Sequence, residues 1–115
     1  MNTVTITEGP LALEDLLAIV GGAQVELTDG ARAAIAASRA VVDQALARND
    51  AVYGMTTQVG HGRDTRLTEE QIHHEQMFLV MSHSGGMADP ADSPVRAALA
   101  VRLNGIARGG SGGIT

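Results

Sequence analysis

Between Ala31 and Arg48 the residues Ala34, Ile35, Ser38, Val41, Val42, Ala45 and Leu46 recur at helical spacing, and several of them are small. Such a stripe predicts one long helix that another helix can approach closely. The shorter segments before it must pack around that rod. Thr3-Val4-Thr5-Ile6-Thr7 alternates polar with apolar residues and predicts a half-buried strand with Val4 and Ile6 facing in. Pro10 suits the first turn of a helix running to about Val20, where Gly21-Gly22 stops it. Gln24 to Leu27 predicts a second short strand, and Thr28 the N-cap of the long helix.

Beyond Asn49-Asp50, the run Ala51-Val52-Tyr53 predicts a short strand leading into a polar loop, Met55 to Arg66, punctuated with the neighbouring Gly54 by Gly60 and Gly62. Polar loops of this length inside small domains serve as lids or binding loops, or stay unstructured. Thr68-Glu69-Glu70-Gln71 is a capping box, from which a helix is expected to run to about His83. Ile72, Gln76, Leu79, Val80 and His83 share one face of it, and Met77, Phe78 and Met81 widen the apolar surface, as in a helix covered on more than one side. Asp89 to Pro94 reads as a turn, with Ser93 as N-cap and Pro94 opening a last helix. Val95, Ala98, Leu99, Leu103 and Ile106 form its expected buried stripe. The tail Gly109-Gly110-Ser111-Gly112-Gly113-Ile114-Thr115, taken alone, is a flexible linker. The predicted class is mainly α, with a few short strands and a glycine-containing lid loop.

Composition narrows the function. One Phe, one Tyr and no Trp leave a core of small aliphatic side chains. The net charge is −5, and the eight basic residues are scattered arginines that form no stripe for phosphate tracking, which argues against nucleic acid. No apolar run approaches the ~20 residues of a membrane span, so neither membrane nor secretory leader is expected, and the absence of cysteine suits a reducing cytoplasm. His73 and His74 diverge on their helix, and no i, i+4 pair completes a ligand face, so no metal site is expected. No phosphate-binding glycine fingerprint follows a strand, and Ser82-His83, as helix neighbours, are not expected to face each other as a nucleophilic pair. What remains is Tyr53 at the base of the loop, His83 at a helix end, and glycines that let backbone approach closely.

These elements, taken in order, resemble the amino-terminal segment of the histidine and aromatic amino acid ammonia-lyases and their related aminomutases. Val52-Tyr53-Gly54-Met55-Thr56-Thr57-Gln58-Val59-Gly60 is similar to the family's Val-Tyr-Gly-Ile-Asn-Thr-Gly-Phe-Gly loop. Ser82-His83-Ser84-Gly85-Gly86 stands where the family has a Ser-His, His-Leu or Phe-Leu pair followed by small residues. Val95-Arg96, Arg102-Leu103-Asn104 and Arg108-Gly109-Gly110-Ser111-Gly112 follow the family's Val-Arg, Arg-x-Asn and Gly-x-Ser-Gly order. The resemblance covers roughly residues 8 to 115. It implies an amino-terminal lyase-like domain over 1–108, with 109–115 opening a central helical domain of a longer polypeptide.

In such enzymes a base removes the weakly acidic β-proton of an amino acid while an electrophile activates the substrate. The resemblance gives the base role to Tyr53, whose phenol, with pKa near ~10 in water, has to be held where donors or positive charge favour its ionised form. It makes Gly54, Thr57, Gln58 and Gly60 part of the lid loop, and Ser82 and His83 the substrate-reading pair. A Ser-His pair is the form seen in histidine-specific members, since one imidazole can hydrogen-bond another. The family's electrophile is a methylidene-imidazolone made from an Ala-Ser-Gly tripeptide, which is expected beyond Thr115, so this chain alone binds no cofactor and is expected to be inactive. The expected partners are the rest of the lyase polypeptide, other subunits of a tetramer, and a small amino acid substrate.

The loop departs from the family pattern at Thr56, Gln58 and Val59, which stand for Asn, Gly and Phe. A Gln replacing a glycine of positive φ is expected to strain the loop or send it along another path. The leading expectation is histidine ammonia-lyase chemistry, which releases ammonia and urocanate. An aminomutase or a lyase for another aromatic amino acid, and a non-catalytic helical interaction module, are the alternatives.

Overall fold

Strand β1 (Thr3–Ile6) pairs in parallel with β2 (Gln24–Leu27), Thr3 opposite Gln24 and Ile6 opposite Leu27. A parallel pair needs a crossover, and helix α1 (Leu13–Val20) supplies it. Helix α2 (Asp29–Ala47) follows, then α3 (Glu69–Ser82) and α4 (Asp92–Ala107), so the class is mainly α, as expected. The computed structural model describes residues 2–86 and 92–112. The chain divides into two units, Met1–Val42 with Asp89–Thr115, and Asp43–Ala88.

The first unit is built on β1 and α1. Val4 and Ile6 are buried while their neighbours are exposed, as the alternation predicts, and they meet Ile19, Ala31, Ala100 and Ala107 in the core. Burying an aliphatic side chain of that size is worth about 1.5–3 kcal/mol. Four of the seven fully buried members of this cluster are not even Val-sized: Ala23, Ala31, Ala100 and Ala107. The low aromatic content therefore shows up as close element packing.

Pro10 does not open α1. The side chain of Asn104 donates to the Gly9 carbonyl at 2.8 Å and accepts from the Leu11 amide at 3.2 Å, so the backbone on both sides of Pro10 is engaged by α4. The helix starts only at Leu13, after an extended Ala12 that offers no side-chain cap. At its other end Arg96 donates from Nε to the Ile19 carbonyl at 2.9 Å and from Nη2 to the Ala23 carbonyl at 3.3 Å. These acceptors stand at and just beyond a helix C-terminus, where a cation is favoured, and the Ile19 carbonyl also accepts from the Gly22 amide at 3.0 Å. Arg96 and Asn104 together tie α4 to both ends of α1.

Thr28 caps α2 as predicted, accepting from the Ala31 amide at 3.1 Å. The predicted stripe of α2 is at least partly buried except at Val41, which is 64% exposed. On α4 the expected stripe holds in its second half: Leu103 and Ile106 turn inward, joined by Ala100 and Ala107, while Val95, Ala98 and Leu99 are exposed. The buried face also takes in Ala100 and Ala107, whose small side chains did not stand out in the sequence. Ser93 lies inside α4, which already includes Asp92, and the segment 87–91 with its predicted turn falls outside the described residues. The start of the tail is not free chain. Gly109 has φ +79° and stands against Ala34, and a side chain at Gly112 would run into Val42 and the Ser38 carbonyl. Glycine is needed there to bring the tail onto α2.

In the second unit the predicted capping box is complete: Gln71 donates from its backbone to Thr68 Oγ1 at 3.3 Å, and its side chain accepts from the Thr68 amide at 2.9 Å. The expectation that α3 is covered on more than one side fails within this chain. Met77, Phe78, Val80 and Met81 are each more than 60% exposed, and only Ile72, Glu75 and Leu79 are half-buried. Among the described residues no helix is long and apolar enough to cross a membrane.

Candidate active site

The loop that carries Tyr53 starts where α2 ends. Asn49 has φ +55°, alone among the described non-glycine residues, and the Asp50 amide reaches back to the Ala45 carbonyl at 3.0 Å. This left-handed helix ending turns the chain sharply outward. The Arg66 guanidinium donates to the backbone and side-chain oxygens of Asn49, holding the far end of the loop at the same point.

The predicted strand around Val52 does not form. Instead Met55 and Thr56 donate to the Val52 carbonyl at 3.1 and 3.0 Å, folding Val52–Thr56 into a tight turn with Tyr53 near its tip. Gly54 in that turn has φ +69°. The rest of the loop closes on itself. Leu67 donates to Thr56, Gln58 donates to Thr65, and Thr57 and Arg66 form an antiparallel bridge. A 3-10 turn at Gly60–Gly62 makes the tip. The loop expected from its polarity to be a lid, a binding loop or unstructured is thus a hydrogen-bonded hairpin.

Tyr53 is the only tyrosine, and its ring is 64% exposed. A structural tyrosine would bury the ring. Its hydroxyl accepts a hydrogen bond from the Gly60 amide at 3.0 Å. The phenol faces an open cleft of about 380 Å³ lined by Ala51, Thr57, Arg63, Asp64 and Arg66. A larger hollow of about 660 Å³ lies elsewhere in this unit, against Leu46, Leu67 and Ile72, and Tyr53 takes no part in it.

Gln58 is not strained. It lies outside the left-handed region, and its side chain occupies the space beside Gly62 where any side chain at 62 would collide with it. The positive φ values of this loop fall on Gly54 and Gly60 instead. Thr57 accepts from the Gly54 amide at 3.3 Å and donates to the Gln58 carbonyl at 2.9 Å, so Gly54, Thr57 and Gln58 form one hydrogen-bonded set beside the Tyr53–Gly60 pair.

Ser82 and His83 end α3. The Leu79 carbonyl lies 2.8 Å from His83 Nδ1 and can only accept, so Nδ1 carries the proton and the Nε2 of a neutral ring is an acceptor. The Ser82 hydroxyl donates to the same carbonyl at 3.2 Å, with its oxygen 3.2 Å from Nδ1. Both side chains are exposed. The pair makes no hydrogen bond to the Tyr53 loop among the described residues. The link runs through Gln76, whose side-chain amide donates to the Gly54 carbonyl at 2.9 Å. Gln76, expected only on a helix face, and Thr56, expected only as a departure from the family loop, both take part in this arrangement. His73 and His74 meet edge to face at 6.2 Å on α3, and no group of three metal-ligating side chains gathers among the described residues.

A sequence profile described as aromatic amino acid lyase matches residues 11–114. The chain belongs to that family. It is 37% identical over 114 residues to the histidine ammonia-lyase of Salmonella schwarzengrund (strain CVM19633), and 38% identical to that of Salmonella typhimurium (strain LT2). In each case the match covers 97% of this chain and 22% of the relative. Among solved structures it is similar to the ergothionase of Treponema denticola, with a TM-score of 0.87 and 29% identity over 94% of this chain and 22% of that one. It is also similar to tyrosine aminomutase from Streptomyces globisporus, with a TM-score of 0.84 and 28% identity over 93% of this chain and 21% of that one. The chain therefore spans about a fifth of the length of these relatives.

Proposed function

We propose that this chain carries the base and a substrate-reading imidazole of an amino acid ammonia-lyase that acts on histidine and releases ammonia and urocanate. The observation that carries the reading is the exposed phenol of Tyr53 set on a tight turn, with an amide N–H 3.0 Å from its oxygen. A donor fixed at that distance can hydrogen-bond the phenolate that the base role requires, and leaves the outer side of the ring open to substrate. Tyr53 takes the β-proton, and Gly54 and Gly60 give the turn the positive φ values it needs. His83, with Nε2 uncommitted, accepts a hydrogen bond from the substrate's imidazole, and Ser82 helps to hold the ring. The histidine ammonia-lyases among the relatives favour this substrate.

The 115 residues contain no Ala-Ser-Gly tripeptide, so the family's methylidene-imidazolone is supplied by the remainder of the polypeptide. That group supplies the electrophile that makes the β-proton removable. The residues here fit such a partner, since they offer a base and an acceptor but no electrophile of their own. The complete site is formed with the rest of the enzyme and with other subunits of a cytoplasmic tetramer. The likeness to a tyrosine aminomutase favours a second reading, in which the same base serves amino-group migration.

The test is Tyr53→Phe in the enzyme assembled with the rest of its polypeptide. Urocanate formation from histidine is expected to fall by about 10²–10⁴-fold, the range for loss of a general base. Turnover within a few-fold of the parent would remove Tyr53 from the chemistry, and a β-amino acid product in place of urocanate would select the second reading.

A further inference from the structure

We infer that Thr56 is the positioning residue of the Tyr53 turn, an inference that rests on the reading of Tyr53 as the base. Thr56 is 1% exposed, and it ranks with Ile6 as one of the two largest fully buried side chains of the described protein. Ile6 belongs to the apolar core, whereas Thr56 is a polar residue buried within a loop. Its hydroxyl both donates and accepts. The single proton goes to the Asp50 carbonyl at 2.6 Å, and the oxygen accepts from the Val52 amide at 2.8 Å. Those two partners flank Ala51 and precede Tyr53 directly. One hydroxyl therefore holds the backbone that enters the turn, while the Thr56 backbone closes the turn on the Val52 carbonyl and receives Leu67 from the returning arm.

The direct path from α2 into the Tyr53 turn, through Asp50 and Val52, passes by this side chain. Thr57 holds the other side, through Gly54. A residue at 56 has to be short, has to donate and accept at once, and has to fit a buried site. Serine and threonine meet those demands, and valine matches the shape without the hydrogen bonds. The Thr56 hydroxyl thus sets where the phenol stands against the Gly60 amide and the cleft.

Amide hydrogen exchange on the ¹⁵N-labelled 115-residue chain tests this, read at the Gly60 N–H, whose partner is the Tyr53 oxygen. Tyr53→Phe, which deletes that oxygen, should speed Gly60 exchange about fivefold, the factor set by one net hydrogen bond. Thr56→Val should speed it to a similar extent, Thr56→Ser should stay within about twofold of the parent, and the amides of α1 should keep their rates. If Thr56→Val loses protection throughout the chain, Thr56→Ala, which adds no methyl against the loop, replaces it under the same criteria. A Gly60 rate unmoved by loss of the Thr56 hydroxyl, or not restored by serine, overturns the inference. So does a rate unmoved in Tyr53→Phe, since the bond said to be held is then absent. Failure of the base assignment would appear separately, as retained turnover in the assembled Tyr53→Phe enzyme with the exchange result intact.

Discussion

The side-chain amide of Gln76 donates to the carbonyl of Gly54 at 2.9 Å, which makes α3 the common reference for both halves of the proposed site. Gly54 follows Tyr53 directly, and His83 lies seven residues beyond Gln76. Seven residues are close to two helical turns, so His83 stands about 10 Å farther along the axis on nearly the same side. A substrate lying along α3 could meet the phenol at one end and the imidazole at the other.

Gln76→Ala should therefore act on rate more than on stability. Gln76 is exposed, so the change in unfolding free energy should stay within about 0.5 kcal/mol. Releasing the turn from α3 should lower kcat of the assembled enzyme about tenfold or more, since small misplacements of a catalytic group are costly. Steady-state kinetics beside urea unfolding would decide it; an unchanged kcat would show that the link does not position Tyr53.

Asn104 offers a purely structural contrast. Its amide serves the Gly9 carbonyl and the Leu11 amide, both partly buried. Asn104→Ala leaves both without a partner and should cost about 2–4 kcal/mol, and Asn104→Asp should also destabilise because a carboxylate cannot donate to Gly9. Urea unfolding followed by far-UV circular dichroism measures both variants, and a cost below about 0.5 kcal/mol would show that water replaces the lost bonds.

Gly54→Ala and Gly60→Ala separate backbone strain from crowding. Both positions have φ between +60° and +70°, so each substitution should cost about 1–2 kcal/mol from the left-handed conformation alone. A Cβ at Gly54 would also stand 3.3 Å from Val59 Cγ1, whereas at Gly60 it meets nothing within 4 Å. Gly54→Ala should be the more destabilising of the two. The reverse order in thermal unfolding would contradict the loop geometry.

His83→Leu should shift the assembled enzyme away from histidine and toward substrates with a phenyl or phenol ring. An imidazole acceptor replaced by an apolar side chain leaves the substrate's N–H without its partner, which is worth roughly 10–100-fold in kcat/KM for histidine. Ratios of kcat/KM for histidine, tyrosine and phenylalanine are the measurement; a constant ratio would mean that His83 does not read the side chain.

Local chemistry was enough to locate most elements. The alternation at Thr3–Ile6, the Thr28 cap, the Thr68–Gln71 capping box and the stripe of α2 each depend on near neighbours, and each appears where the residues predict it. The ordered series from Val52 to Gly112 was likewise enough to point to the lyase family, because it needs only residue identity and spacing. Tertiary contacts decided the rest. Asn104 delays α1 past Pro10 by engaging the backbone on either side of it, and α4 puts Ala100 and Ala107 in the core while Val95 and Leu99 stay exposed. Gln58 escapes strain because the positive φ values fall on its neighbours, and Gly62 leaves room for its side chain. Polarity alone left the course of the Met55–Arg66 loop open, and backbone pairing across it, with the buried Thr56 hydroxyl at its root, closed it. Hydrogen bonds between residues far apart in the chain depend on where the backbone has already gone, and the sequence could not show that residue by residue.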